Sequence, residues 1–319
     1  MHLYEPFIER DLAAIPRAVA AFRANHSAEE TWIEITRFAV LAFAPSQHSK
    51  HALLACLSTW DLREELGARF HEALVECAIY AAASRQPWSE PPMLNPPKIE
   101  ADQRGDLDEL REAIAASDRL RAERWLAKRF NSADFTPDYL AAASDDFEDL
   151  GHSLIVANAA LRLADLLGEK GRYAMLRVGV WEMVARGSRE SGVGSRSEAG
   201  AENLCRDLVA NVITSDGDII RAHGLFLFDA ALQTGDVAVI TRANAHLSSI
   251  KPVPTPDTRH AAPQPRPYAF FRDYGACLKA HAVAKRLRTR FPSADFDGML
   301  AAVHRNLDAA PQSEEMTFA

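Results

Sequence analysis

The sequence predicts an all-α protein, with helical hairpins repeated along the chain and packed into one multi-helix domain over residues 1–319. Three observations point there. Ala, Leu, Arg and Glu, all strong helix formers, recur throughout. Apolar residues return at three- and four-residue spacing, as Leu53, Cys56, Leu57 and Trp60 do along one face. Period-two alternation is nearly absent. Its nearest case, Val237, Val239 and Ile240, sits in a helix-compatible stretch.

Four segments carry the repeat, at about 46–84, 145–187, 216–249 and 268–309. The first three align on a histidine: His51, His152 and His223. Two residues after each stands a leucine: Leu53, Leu154 and Leu225. At offsets eight and nine stand Thr59-Trp60, Ala160-Leu161 and Ala231-Leu232. The fourth copy begins at Tyr274, with Leu278, Ala282 and Val283 at offsets of four, eight and nine; His281 follows two turns further on. Each segment reads as a helix, a short break and a second helix. Such units cannot bury their apolar faces alone, so they pack on one another. Around a shared axis the three histidines would converge; in an open solenoid they would stand in a row.

Three breaks separate the hairpins. Residues 85–100 hold five prolines, residues 187–200 are rich in Gly and Ser, and residues 250–267 are again dense in proline. Gly192 and Gly194 do not form a phosphate loop, since no Gly-Lys-Ser/Thr follows. Long connections of this kind often serve as lids or binding loops.

Composition narrows the function classes. Over 319 residues the formal charge is −8, which argues against a general nucleic-acid binder and against adhesion to anionic lipid by charge. No apolar run reaches the length of a membrane span, and the start of the chain does not read as a secretory signal. The expected compartment is the cytoplasm. Cys56, Cys77, Cys205 and Cys277 form no Cys-x-x-Cys pair and read as small buried apolar side chains.

The candidate chemistry centres on histidine. His51, His152 and His223 are candidate metal ligands or acid–base groups. His48 shares a helix face with His51 at a spacing of three and joins them as a candidate ligand. Asp149 stands three residues before His152, the spacing by which a carboxylate and a histidine on one helix share a metal. The acidic stretch before it, Asp145 and Asp146, reads as helix capping, and Glu148 as a solvated charge. Arg272, Asp273 and Tyr274, beside Phe270 and Phe271, are candidates to line a pocket, with Arg272 binding substrate and Tyr274 catalytic. Trp88, in the proline-rich break, is a candidate groove cap. Trp32, Trp60, Trp125 and Trp181 read as core. His26, His246, His260 and His304 read as surface or loop residues.

The stretch Asp146-Phe147-x-Asp149-x-Gly151-His152, with Ala157 and Asn158 further on, resembles a helix of bacterial helical domains, some of which accompany a Rieske-type iron–sulfur domain. The histidine-led helix starts resemble those of the questin oxidase-like family over residues 45–85, 140–185 and 215–285. That resemblance implies a helical fold and oxygen-inserting, Baeyer–Villiger-type chemistry, which fungal members perform on aromatic polyketides. The chain departs from the family's helices where a threonine often follows the histidine by three: here Leu54, Ile155 and Phe226 stand. It also has no Rieske cysteine–histidine pattern, so an electron donor would be a separate protein.

The expectation is therefore an oxygenase-type oxidoreductase for a small, aromatic or similar organic substrate. It would use iron or another transition metal, or else cofactor-free acid–base chemistry. The alternatives are a non-catalytic helical scaffold for a protein partner, and a carrier of haem or another small molecule. Converging, partly buried histidines would favour the enzyme; histidines spread over a surface would favour the scaffold.

Overall fold

The computed structural model describes residues 3–43, 49–84, 105–147, 149–187, 200–250 and 269–309. Among them every regular element is a helix and none is a strand. The proline-rich breaks at 85–100 and 250–267 and most of 187–200 lie outside the described residues.

The chain opens with α1 (Glu5–Glu9), α2 (Ile15–Arg23) and α3 (Ala28–Leu41). Ser27 starts α3 with a reciprocal cap: its side chain accepts from the Glu30 amide, and the Glu30 carboxylate accepts from the Ser27 amide. The first repeated segment folds as α4 (Ser49–Asp61), a single turn α5 (Arg63–Leu66) and α6 (Phe70–Ser84). Next come α7 (Leu107–Ala115), α8 (Arg119–Arg129) and α9 (Phe135–Ala143). The second repeat is α10 (His152–Leu167) and α11 (Glu169–Arg186), joined by Gly168 alone. After α12 (Ala201–Thr214), the third repeat is α13 (Ile219–Thr234) and α14 (Val237–Ser249). Asp218 and Asp236 accept from the first free amides of these two helices. The fourth is α15 (Ala269–Arg288) and α16 (Phe296–Ala309).

The first helices of the four repeats surround one axis. α4 packs on α10, α10 on α13, α13 on α15, and α15 returns to α4. Their hairpin partners α6, α11, α14 and α16 each lie against their own first helix. The inner helices are therefore buried on nearly every side. Every residue of α10 from His152 to Leu161 is buried, as is every residue of α4 from Ser49 to Thr59 except the half-buried His51. A helix apolar all round belongs in such a position, which is why these segments lack a polar stripe.

Close approach inside the second hairpin depends on a missing side chain. A Cβ at Gly179 of α11 would collide with the Tyr139 hydroxyl, which donates to the Leu176 carbonyl at 3.0 Å. The same Cβ would press on the Ala157 backbone of α10 at 3.2 Å, so α9, α10 and α11 meet closely at this glycine.

A polar layer crosses the ring near the far ends of the inner helices. Arg286 of α15 binds Asp229 of α13 at 2.7 Å and Asp61 of α4 at 2.6 Å. Arg162 of α10 binds the other oxygen of Asp61, also at 2.6 Å. All four inner helices thus contribute one charge to a single chain of ion pairs.

One local expectation fails. Asp145 and Asp146 do not cap α10, because a 3-10 turn at Asp149–Gly151 intervenes, with Leu150 at φ 64° and Gly151 at φ 73°. Asp145 instead takes a bidentate grip from Arg111 of α7, at 2.6 and 3.2 Å, and Asp146 is buried. At Gly151 a side chain would meet Leu227 at 2.7 Å as well as the wrong backbone sign, so this glycine lets the histidine-bearing end of α10 press against α13.

A candidate metal centre of three histidines

The three aligned histidines converge. His51 is the third residue of α4, His152 the first of α10, and His223 the fifth of α13. Their ring centroids lie 5.3 Å apart for His51 and His152, 4.9 Å for His152 and His223, and 6.1 Å for His51 and His223. One nitrogen from each ring lies within 4.8 Å of the others. His152 and His223 are buried.

The surroundings favour the uncharged form of two of the rings, His51 and His223. Burial holds His51 well below the ordinary imidazole range, and His152, His223, Lys279 and Lys50 push it the same way. Burial, then Lys279 and His152, lowers His223 to about 3. The Nδ1 of His223 donates to the Ile219 carbonyl at 2.7 Å. A carbonyl can only accept, so this bond places the proton on Nδ1 and leaves the lone pair on Nε2. Metal-binding histidines are commonly fixed in this way.

Two lysines border the cluster. Lys50, next to His51, is buried and paired with Glu182 of α11 at 3.2 Å; Glu182 also takes Arg186 at 3.1 Å. Lys279 of α15 is only 8% exposed. Its ammonium sits 4.6 Å from the centroid of the Phe226 ring and has no hydrogen-bond partner among the described residues. Burial lowers its pKa to about 7; Arg286 and Lys50 add to the effect, and Asp229 opposes it. Sequence reasoning missed Lys279. Its signal was present: a lone cation inside the apolar run Ala276–Val283 of the fourth repeat, on the helix that closes the ring.

Of the remaining sequence candidates none has a described side chain. His48 and Trp88 lie outside the described residues, and so do the side chains of Asp149, Arg272 and Tyr274, although the backbones of these last three are helical. Cys56, Cys77 and Cys205 are buried thiols, as expected. Cys277 is buried as well and lies beside His304, which is exposed, as the sequence reading of a surface residue expects.

The donor set suits a transition-metal ion. Three neutral imidazoles are ordinary ligands for zinc, copper, iron or nickel. Around one ion such nitrogens stand ~3.3 Å apart, so binding requires the present triangle to close by ring rotation. Nearby, Glu182 offsets part of the charge of Lys50 and Arg186, and burial weakens the hold of Lys279 on its proton.

No family model matches the chain, and neither a curated protein nor a solved structure matches it.

Proposed function

We propose that this chain is a metal-dependent oxidoreductase that uses dioxygen on a small organic substrate. His51, His152 and His223 would hold one transition-metal ion, iron foremost. The observation that carries the reading is the convergence of three imidazoles from three helices, two of them held uncharged by burial and one of these locked in its Nε2-free tautomer. A bound ion of this kind would supply a coordination position for dioxygen and one-electron chemistry.

The chain's own residues supply the rest. Phe226, 5.5 Å from the His223 ring, and the apolar inner helices keep water away and offer an apolar wall for a substrate ring. Lys279 stands over Phe226, ready to take or return a proton at its Nζ near neutral pH. If one oxygen atom enters the substrate and the other leaves as water, two electrons and two protons must be supplied, and the reading assigns the electrons to a separate donor protein. The resemblance to questin oxidase-like helices supports the oxygenase class.

The test is elemental analysis of protein purified without affinity tag or chelator. About one equivalent of iron, lost in His152→Ala, is the expected result. Metal-free protein, or equal metal in the variant, overturns the ligand roles.

A second reading rests on the two lysines. Lys50 and Lys279 beside neutral histidines would stabilise a substrate anion that reacts with dioxygen without a metal. Dioxygen uptake by metal-free protein would select it.

A further inference from the structure

A second group of ligand-type side chains lies between α15 and α16. Cys277 and His281 are four residues apart on α15, so they share a face, as paired helical ligands do. His304 reaches them from α16. The Cys277 Sγ lies 3.9 Å from Nδ1 and 4.0 Å from Nε2 of His304. The Nε2 atoms of His281 and His304 are 2.9 Å apart. At that distance one ring nitrogen donates and the other accepts, so at least one ring is neutral.

We propose that Cys277, His281 and His304 form a second metal site, for zinc or a similar borderline-soft divalent cation. In a tetrahedral zinc centre, bond lengths of ~2.3 Å to sulfur and ~2.05 Å to nitrogen place ligand atoms ~3.3–3.6 Å apart. The Cys277–His304 and His281–His304 edges already lie within a few tenths of an ångström of those spacings, and the Cys277–His281 edge is no longer than 4.8 Å. Binding converts the thiol to a thiolate, with its proton released to solvent. The triangle is buried at Cys277 and exposed at His304, so a fourth position, filled by water, faces out. The ion would staple α16 to the helix that closes the inner ring.

This site is separate from the three-histidine centre. Lys279 lies two residues from both Cys277 and His281, ~200° around the helix. One face of α15 thus carries Lys279 toward the inner cluster, and the other carries Cys277 and His281 toward α16. The outer site stands whether or not the inner histidines hold a metal.

Cobalt(II) added to the full-length, metal-stripped protein tests it. A thiolate-to-cobalt charge-transfer band in the near ultraviolet requires a cysteine ligand, and the inner cluster has none among the described residues. The His152→Ala variant, whose inner cluster is broken, is expected to bind about one equivalent of cobalt with this band. Cys277→Ser is expected to lose the band. His304→Ala, at an exposed position that folding tolerates, is expected to weaken cobalt binding by at least ~100-fold, because even partners outside the ligand shell are worth ~10–100-fold. No band in His152→Ala, or a band that survives in Cys277→Ser, overturns the proposal. Either result leaves the iron analysis of the inner site unaffected.

Discussion

Arg286 holds Asp229 with two nitrogens, Nε at 3.1 Å and a terminal nitrogen at 2.7 Å, and with its other terminal nitrogen reaches Asp61 at 2.6 Å. One side chain on α15 thereby ties together the ends of α13 and α4. Arg162 extends the tie to α10.

Arg286→Met is expected to destabilise the fold by ~3 kcal/mol, because it leaves the buried Asp229 carboxylate without its main partner. Urea unfolding measures it. The double variant Arg286→Met with Asp229→Asn should recover part of the loss. A double variant no better than the single one would show that the arginine acts through packing.

Lys279→Met should raise the melting temperature while lowering dioxygen turnover. The ammonium is buried without a hydrogen bond, so its removal relieves a desolvation cost, and methionine fills similar space. Thermal unfolding and oxygen-electrode traces of the same preparation check both halves. A lower melting temperature would mean that Lys279 is compensated in the fold.

Gly179→Ala should destabilise the α10–α11 hairpin by ~1–3 kcal/mol through overpacking against Tyr139. Tyr139→Phe removes the obstructing hydroxyl at the expense of one hydrogen bond, worth ~1 kcal/mol. In the Gly179→Ala background the same change should therefore stabilise. A cycle of four melting curves gives the coupling, and additive effects would rule out the steric account.

Glu76 on α6 gives the pH dependence. Burial raises its carboxyl pKa, and its Oε2 has no partner among the described residues. The native state therefore holds this proton more tightly than the unfolded chain does. Stability from this group is full below the ordinary carboxylate value and falls as pH rises through the raised one. Glu76→Gln should flatten the melting temperature across the weakly acidic range and raise it at neutral pH. Parallel curves for the two proteins would refute the assignment.

Much of the fold was legible because helix propensity and spacing are local properties. The four hairpins follow from the register of the aligned residues, and each predicted segment holds its helix pair. The convergence of His51, His152 and His223 was legible only as one of two geometries. Ring and solenoid share the same hairpin, and the contact of α15 with α4 decides between them. Lys279 escaped because a lysine on a helix ordinarily faces water. Cys277 and His304 escaped because only the turn between α15 and α16 makes them neighbours. Asp145 looked like a cap because Arg111, its partner, lies far back in the chain.

The ring also sets a timetable for synthesis. Each histidine of the inner cluster arrives on a different hairpin, and the strut that closes the circle is the last of the four. A nascent chain that has emerged only through α11 carries two of the three imidazoles and no closing helix. The circle of helices closes only when the fourth hairpin docks against α4, so the three imidazoles share one enclosure only after that hairpin has formed.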